Sequence, residues 1–276
     1  MSTSSRALPG KVAIVTGAGA SIGRAIAMRY AREGARVVAV DIQEGTAEAT
    51  AAAIRDQGGE ALGIDAHVGS QRDVDRLFAT TLEAFGHVDV LVNNAAITQG
   101  IFRHVLEIDE AWWARILETN LTGSFLCSLR AGKEMARQGS GVIINVSSVG
   151  ATRAHRGLVP YDACKGGIEA MTRAMAIELA PYGVRVVGLI PGTVFPSLDA
   201  VPEESVSLSS RTVPLERPGL PDDLAGPAVF LASDDAAYVT GCLVPVDGGV
   251  LAQQRPPLAE IFPVESFPPV DRIPAT

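Results

Sequence analysis

Short runs of β-branched and other apolar residues recur along the chain, with polar or alanine-rich segments between them. The runs cover residues 12–16, 37–40, 88–92, 142–146, 184–190 and 243–246. Nearly continuous apolar runs of this length are typical of strands that are covered on both faces. Because sheets covered on both faces are mostly parallel, the pattern predicts a parallel sheet.

The segments between these runs have the composition of helices. They cover residues 23–33, 45–57, 73–85, 110–137, 161–180 and 222–231. Strands that alternate with helices favour right-handed crossovers within one sheet. We therefore expect the α/β class, as a single-domain, Rossmann-type, doubly wound parallel sheet with helices on both faces.

Two segments interrupt this alternation. Residues 193–218, here called the substrate loop, are weakly periodic and contain serine and proline, which suggests a functional loop or lid. Its apolar side chains indicate a largely apolar ligand; they are Phe195, Leu198, Val201, Val206 and Leu208. Residues 250–276, the C-terminal tail, contain six prolines and cannot form a long helix. We expect the tail to dock on the domain or on a neighbouring molecule.

Composition and charge narrow the class of protein. The chain has 276 residues, 47% of them hydrophobic and 20% charged, which suits a globular domain with a substantial core. The net charge of −8 gives a nucleic-acid partner little electrostatic support. Apolar runs stay well below the roughly 20 residues of a membrane helix, and residues 1–10 lack the apolar run of a signal peptide.

The cysteines indicate the compartment. The three cysteines show neither paired spacing nor a Cys-x-x-Cys pattern, which argues against a disulfide framework and against a zinc site. A reducing compartment is therefore expected. The composition predicts a cytoplasmic protein with no bound metal, no nucleic acid and no membrane partner.

A glycine-rich turn follows the first predicted strand. The segment Thr16-Gly-Ala-Gly-Ala-Ser-Ile-Gly23 leads into helix-compatible sequence. Such glycines let the backbone approach a pyrophosphate at a helix N-terminus. The second strand then ends at Asp41, where a carboxylate accepts hydrogen bonds from adenosine ribose hydroxyls and repels a 2′-phosphate. Neither Ala20 nor Ile42 supplies a compensating cation, so NAD is favoured over NADP.

Three side chains that carry a phenol, an ammonium group and a hydroxyl lie close together in the sequence. Lys165 follows Tyr161 by four residues, and Ser148 precedes Tyr161 by thirteen. On a helix, Tyr161 and Lys165 share one face. The lysine charge would lower the pKa of the tyrosine from its usual value of about 10 towards the working range of a general base. Ser148 would orient a substrate oxygen, although the adjacent Ser147 is the alternative if the register differs by one residue.

These motifs resemble the short-chain dehydrogenase/reductase family from about Lys11 to Gly249. The turn resembles the family's TGxxxGxG motif, with Ser21 in place of the middle glycine, and Asn93-Asn-Ala-Ala96 resembles its NNAG segment. Asn120 matches the asparagine that holds a proton-relay water, although a helix-break role is an alternative. Pro191-Gly192 matches the turn beside the nicotinamide, residues 217–225 the stretch before a late helix, and Asp247-Gly-Gly249 the end of the closing strand.

The resemblance implies the residues of the site. The implied catalytic residues are Asn120, Ser148, Tyr161 and Lys165. The implied cofactor-binding residues are Gly17, Ser21, Ile22, Gly23, Asp41, His67, Val68, Asn93, Ala95, Tyr161, Lys165, Pro191, Gly192 and Val194. The domain organisation expected is an N-terminal arm (1–10), a dinucleotide-binding catalytic domain (11–249) that includes the substrate loop, and the C-terminal tail (250–276).

Some positions depart from the family's pattern. His67 falls where an aspartate commonly contacts the adenine, and Asp65 lies two residues away, so either side chain is a candidate for that contact. Val68 would contribute its backbone.

The nicotinamide end of the motif departs as well. Ile190 replaces a frequent asparagine, and Pro196 stands where a threonine often holds the carboxamide. Backbone groups around Val194, or the Ser197 side chain, are the candidates for that contact.

The resemblance implies hydride transfer between a nicotinamide and a secondary alcohol or ketone, with a small, cyclic or largely apolar substrate. Two alternatives stay open. One is a reductase of 3-oxoacyl groups on a carrier protein or coenzyme A. The other, of a different class, is a non-catalytic NAD-binding regulator on the same fold. The resemblance also implies a homotetramer formed through the long helices around residues 110–137 and 161–180.

Overall fold

Seven parallel strands form one sheet in the computed structural model, which describes residues 6–197, 199 and 201–259. The strands are β1 (Val12–Thr16), β2 (Arg36–Asp41), β3 (Glu60–Asp65), β4 (Val90–Asn93), β5 (Gly141–Val146), β6 (Val184–Pro191) and β7 (Leu243–Val246). Their order is β3-β2-β1-β4-β5-β6-β7. The chain therefore winds outwards in both directions from the β1–β4 pair, and this topology opens a crevice at the carboxyl ends of those strands.

Helices cover both faces of the sheet. They are α1 (Ser21–Arg32), α2 (Thr46–Asp56), α3 (Gln71–Phe85), α4 (Glu110–Leu117), α5 (Gly123–Gln138), α6 (Val159–Leu179), α7 (Glu203–Thr212) and α8 (Pro221–Ala232). Side chains of α1, α2 and α8 pack on one face, and those of α3, α5 and α6 pack on the other. The predicted α/β, doubly wound parallel fold is confirmed. Among the helices described, none has the length and apolarity needed to cross a membrane.

The strands show why the runs are continuously apolar. Successive side chains of a strand point to opposite faces, so Val15 joins the core under α1 whereas Ile14 joins the core under α3 and α5. Both are fully buried. Residues 12–15 of β1 are therefore apolar at every position, and the last residue, Thr16, is buried with its hydroxyl donating a hydrogen bond to the Val92 carbonyl.

Three elements differ from the prediction. Strand β3 carries no continuous apolar run, because this edge strand buries Ala61 and Ile64 but exposes Glu60 and Asp65. The single helix predicted over residues 110–137 is two helices, α4 and α5, joined by a π-helical turn at Glu118–Thr122. The substrate loop contains helix α7, whose serine-rich sequence has little apolar periodicity and buries no residue.

The described part of the C-terminal tail lies against its own chain. Arg153, in the loop after β5, donates hydrogen bonds to the carbonyls of Val250 (2.7 Å), Leu251 (3.0 Å) and Gln253. Gln253 in turn donates through Nε2 to the Thr212 carbonyl at the end of α7 (3.0 Å). The tail therefore links the loop after β5 to the helix of the substrate loop. Residues 260–276 of the tail lie outside the described residues.

Candidate active site

A cleft of about 990 Å³ opens at the carboxyl ends of the strands. It is lined by the turn after β1, by the end of β2, and by the segments that follow β3, β4, β5 and β6. This is the crevice that the change of winding direction between β1 and β4 creates. Most of the residues implied by the sequence line this one cleft.

The glycine turn has little room for side chains. Gly17 has a φ of +64°, and a Cβ on Gly23 would lie 2.1 Å from the Gly17 carbonyl oxygen. Ser21, which replaces the middle glycine of the motif, adopts a φ of +47°. A non-glycine residue in this region is strained, and such strain is found at ligand-binding turns. Gly17, Ser21 and Ile22 line the cleft, whereas Gly23 supports the turn from behind.

Asp41 connects the end of β2 to the glycine turn. Its Oδ2 accepts a hydrogen bond from the Gly19 amide at 2.9 Å, and its Oδ1 accepts one from the Gln43 amide at 3.0 Å. Asp41, Ala20 and Ile42 all line the cleft. This corner of the cleft therefore presents a carboxylate beside two uncharged side chains.

His67 and Val68 line the cleft after β3, as implied, and Asp65 does not. His67 Nε2 lies 3.2 Å from the Thr119 hydroxyl, and its backbone amide donates to Asp73 at 3.1 Å. Asp65 instead accepts from the Gly45 amide at the start of α2. Of the two candidates for the adenine contact, His67 lines the cleft and Asp65 does not.

The two asparagines at the end of β4 face different parts of the molecule, one the cleft and the other the core. Asn94 lines the cleft and donates through Nδ2 to the Thr16 and Gly17 carbonyls, at 3.0 and 3.2 Å. Asn93, the residue expected to bind the cofactor, is buried and donates to Ser128 and Asn145 beneath the sheet end. Ala95 lines the cleft as expected. Adjacent residues of a strand face opposite ways, so Asn94 is the side chain that reaches the turn.

Ser148, Tyr161 and Lys165 meet in the same cleft. Burial raises the pKa of Tyr161, a hydrogen bond donated by Ser148 lowers it, and the negative charge of Asp162 raises it. Lys165 donates to the Val146 carbonyl at 2.7 Å and lies 5.5 Å from the centre of the Tyr161 ring. Burial lowers the pKa of Lys165 to about 8. The pKa of Tyr161 is therefore raised rather than lowered as expected, because burial is the largest influence and Lys165 is not among the groups that shift it.

The two adjacent serines have different partners. Ser147 donates to Glu169 Oε1 at 3.0 Å and is turned towards α6. Ser148 Oγ accepts a hydrogen bond from the Gly150 amide at 3.1 Å. Ser148 is also the serine that is hydrogen-bonded to Tyr161. The register expected from the sequence therefore matches the geometry, and Ser148 caps the short 3₁₀ turn Val149–Ala151 as well.

Asn120 lies behind the cleft rather than in its lining. It sits in the π-helical turn and is fully buried. Its Oδ1 accepts from the Ile97 amide at 2.7 Å, and its Nδ2 donates to the Ile97 carbonyl at 3.2 Å. Asn120 therefore fixes the segment after β4, which lines the cleft.

The segment after β6 closes the other end of the cleft. Pro191, Gly192 and Val194 line it, as implied. A Cβ on Gly192 would lie 2.8 Å from the Cα of Asp247, which accounts for the glycine. Val194 pairs with Gly219 in an isolated parallel bridge, so the two ends of the substrate loop are held together.

The apolar side chains of the substrate loop are only partly in position. Phe195 and Pro196 line the cleft, but Val201, Val206, Leu208 and Ser197 do not. Leu198 lies outside the described residues. His155, to which the sequence alone assigns no role, also lines the cleft.

The residues present fit a dinucleotide. Gly17, Gly19 and Gly23 let the turn fold tightly, since a Cβ on Gly19 would lie 2.3 Å from the Thr46 hydroxyl oxygen. The turn leads into the N-terminus of α1, which favours a pyrophosphate. Asp41 offers a carboxylate to a ribose at the far side of the turn.

Known proteins resemble the chain over most of its length. The sequence profile of a family described as "Enoyl-(Acyl carrier protein) reductase" matches residues 17–251. The short-chain reductase protein NovJ of Streptomyces niveus is 43% identical, over 86% of this chain and 93% of its own. A 3-oxoacyl-(acyl-carrier-protein) reductase of Synechocystis sp. is 40% identical, over 89% of this chain and 98% of its own. The crystal structure of a short-chain type dehydrogenase/reductase from Mycobacterium marinum has a TM-score of 0.84 at 31% identity. The match covers 90% of this chain and 98% of that protein's chain.

Proposed function

The chain belongs to the short-chain dehydrogenase/reductase family, and we propose that it is an NAD-dependent oxidoreductase. It would transfer a hydride between a nicotinamide and a secondary alcohol or ketone. The observation that carries the proposal is that Ser148, Tyr161 and Lys165 line the same cleft as the glycine turn and Asp41. A site for a dinucleotide and an acid-base group are thus combined in one space.

The side chains have complementary roles in this proposal. When bound, the nicotinamide accepts or donates the hydride. Tyr161, as phenolate, would take the proton of the alcohol, and Ser148 would hydrogen-bond the reacting oxygen. The ammonium group of Lys165 would bind the nicotinamide ribose. Asn120 would act as a positioning residue through Ile97.

Asp41 supports NAD rather than NADP. Its carboxylate lies at the edge of the cleft beside Ala20 and Ile42, so a 2′-phosphate there would meet a like charge without a compensating cation. Ile101, Phe102, Leu158 and Phe195 line the substrate end, which supports a small or cyclic, largely apolar substrate.

The second candidate is reduction of a 3-oxoacyl group on a carrier protein or coenzyme A. The 40% identity to the Synechocystis reductase favours it. The net charge of −8 does not favour docking of an acidic carrier, and Asp41 does not favour NADPH. A non-catalytic NAD-binding regulator is the third candidate, which the combination of Ser148, Tyr161 and Lys165 disfavours.

Initial rates of NADH formation test the proposal. The purified protein is assayed with a panel of secondary alcohols and either NAD or NADP, and in the reverse direction with acetoacetyl-CoA. We expect turnover with NAD that exceeds turnover with NADP by about tenfold or more in kcat/KM. Tyr161→Phe should lower it by at least about 10²-fold because the acid-base group is lost. Tyr182→Phe, at an exposed tyrosine beyond the end of α6, is the matched control.

The other outcomes separate the candidates. Activity confined to acetoacetyl-CoA with NADPH would favour the 3-oxoacyl reductase. NAD binding without turnover on any alcohol or ketone would favour the regulator. Turnover that survives in Tyr161→Phe would remove the proposed mechanism.

We also propose that the protein is a cytoplasmic homotetramer. The three cysteines are unpaired, which is consistent with a reducing compartment. Two large apolar side chains, Phe125 on α5 and Ile177 on α6, are exposed on helices that cover the same face of the sheet. Such exposed apolar surface is typical of subunit contacts.

A further inference from the structure

A histidine–aspartate pair borders the substrate end of the cleft. His155 Nδ1 lies 2.9 Å from Asp162 Oδ1, and the His155 backbone amide donates to Asp162 Oδ2 at 2.7 Å. His155 lines the cleft together with Ser148 and Tyr161, and Asp162 directly follows Tyr161 on α6. None of the roles assigned above uses this pair.

The pair is held in a fixed orientation. Both oxygens of one carboxylate bind His155, one through the ring and one through the backbone. The ring packs against Gly150, where a Cβ would lie 2.7 Å from ring atoms of His155 and 2.2 Å from Asp162. Gly150 also donates to Ser148 Oγ. The imidazole is therefore tied to the two elements that carry Ser148 and Tyr161.

The contact with Asp162 determines what the free edge of the ring offers. A carboxylate accepts hydrogen bonds, so Nδ1 carries the proton that Asp162 binds. In the neutral imidazole the other nitrogen, Nε2, is then an acceptor. The His155 side chain is 39% exposed, whereas Ile101 and Leu158, which line the same end, are buried apolar residues. A polar group that is fixed in an apolar wall gives a ligand its orientation.

We propose that His155 is a specificity-determining residue that accepts a hydrogen bond from a second hydroxyl of the substrate. The preferred substrates would then be vicinal diols, or the matching hydroxy ketones, on an apolar frame. This inference rests on the proposed function and names its substrate class. Asp162 acts through His155 and is a positioning residue.

Matched pairs of alcohols test the inference. Cyclohexanol is compared with trans-cyclohexane-1,2-diol, and butan-2-ol with butane-2,3-diol, each with NAD as cofactor. We expect kcat/KM for the diol to exceed that for the mono-alcohol by about tenfold, the effect of one hydrogen bond. His155→Phe should remove this preference, which is read as the ratio of kcat/KM for the diol to kcat/KM for the mono-alcohol within each variant. His155→Gln, which keeps an acceptor oxygen, should restore part of it.

The matched control is a second histidine–aspartate pair outside the cleft. His87 Nε2 lies 3.0 Å from Asp89 Oδ2, and neither residue lines the cleft. His87→Phe should keep the diol preference. Equal preference in the wild type and in His155→Phe, or no diol preference in the wild type, would overturn the inference.

A binding measurement separates this inference from the proposed function. Calorimetric titration of the Tyr161→Phe protein with NADH and each alcohol needs no turnover. We expect the diol to bind about tenfold more tightly, with the difference lost in the Tyr161→Phe/His155→Phe double variant. Selective binding of the diol, combined with no oxidation of either alcohol by the wild type, would count against the proposed reaction alone. Turnover of both alcohols without selectivity would count against His155 alone.

Discussion

At the scale of single residues, the acid-base behaviour of Tyr161 is set by opposing neighbours. Burial raises its pKa most, the Ser148 hydrogen bond lowers it, and the Asp162 charge raises it. Oxidation of an alcohol uses the phenolate, so the rate should climb as the pH rises through this pKa. We predict that Ser148→Ala moves the pH profile of kcat/KM to higher pH, and that Asp162→Asn moves it to lower pH.

The quantity to measure is the pH at the midpoint of the kcat/KM profile, rather than the maximal value of kcat/KM. Ser148→Ala should also lower the maximal rate by about 10²-fold, because a hydrogen bond to the reacting oxygen is lost. This decrease in rate is separate from the shift of the pH midpoint, which follows from the changed pKa of Tyr161. Ser147→Ala is the matched control, because that hydroxyl binds Glu169. Midpoints that move in the same direction in Ser148→Ala and Asp162→Asn would contradict the account of Tyr161.

Some site residues could be predicted from short motifs and their order in the sequence. Tyr161 and Lys165 lie one turn apart on α6, and Asp41 ends the strand that follows the glycine turn and α1. Asn93 and Asn120 could not be placed from the sequence. Whether their side chains face the cleft or the core depends on contacts with Asn145 and Ile97, which are remote in sequence.

At the scale of secondary-structure elements, prediction depended on continuous apolar runs. The central strands bury most of their positions and are visible as such runs, with β1 predicted at its observed bounds. The edge strand β7 was also predicted at its observed bounds, although it buries no residue fully. The edge strand β3 and the exposed helix α7 bury few residues and leave no such pattern. The interruption between α4 and α5 is also invisible in the sequence, because the π-helical turn continues the helical composition.

The contact between Arg153 and the tail makes a prediction at this scale. Arg153 binds three carbonyls of residues 250–253, and Gln253 binds the end of α7. We predict that Arg153→Ala loosens both segments without unfolding the domain. Loss of about 1 kcal/mol of exposed hydrogen bonding should speed amide exchange by about fivefold in residues 250–253 and at the end of α7. Hydrogen exchange with mass spectrometry measures this.

Two comparisons make that experiment decisive. Arg156→Ala removes another exposed arginine of the same loop and should leave exchange of the tail unchanged. Gln253→Ala should speed exchange at the end of α7 to a similar extent as Arg153→Ala. If exchange in the tail is the same in Arg153→Ala and in the wild type, the described tail is not held by Arg153.

At the scale of the whole molecule, α6 carries the proposed catalytic residues at one position and an exposed apolar residue at another. Its inner side carries Tyr161 and Lys165, and Lys165 is 3% exposed. Further along the same helix Ile177 is 78% exposed, and Phe125 of the neighbouring α5 is 45% exposed. Burying these side chains against another copy would stabilise α6, and with it the catalytic residues, by about 1.5–3 kcal/mol for each large apolar side chain.

We therefore predict that Ile177→Glu dissociates the proposed homotetramer, since an unpaired charge in an apolar contact is strongly unfavourable. Light scattering of the wild type should give the mass of four 28.8 kDa chains, and the variant should give a smaller assembly. Leu106→Glu, at a leucine that is 87% exposed and lies outside α5 and α6, should keep the wild-type mass. If the subunit contact supports the site, Ile177→Glu should also lose thermal stability and turnover together. A dissociated variant with full turnover would show that α6 holds Tyr161 and Lys165 in place without a partner.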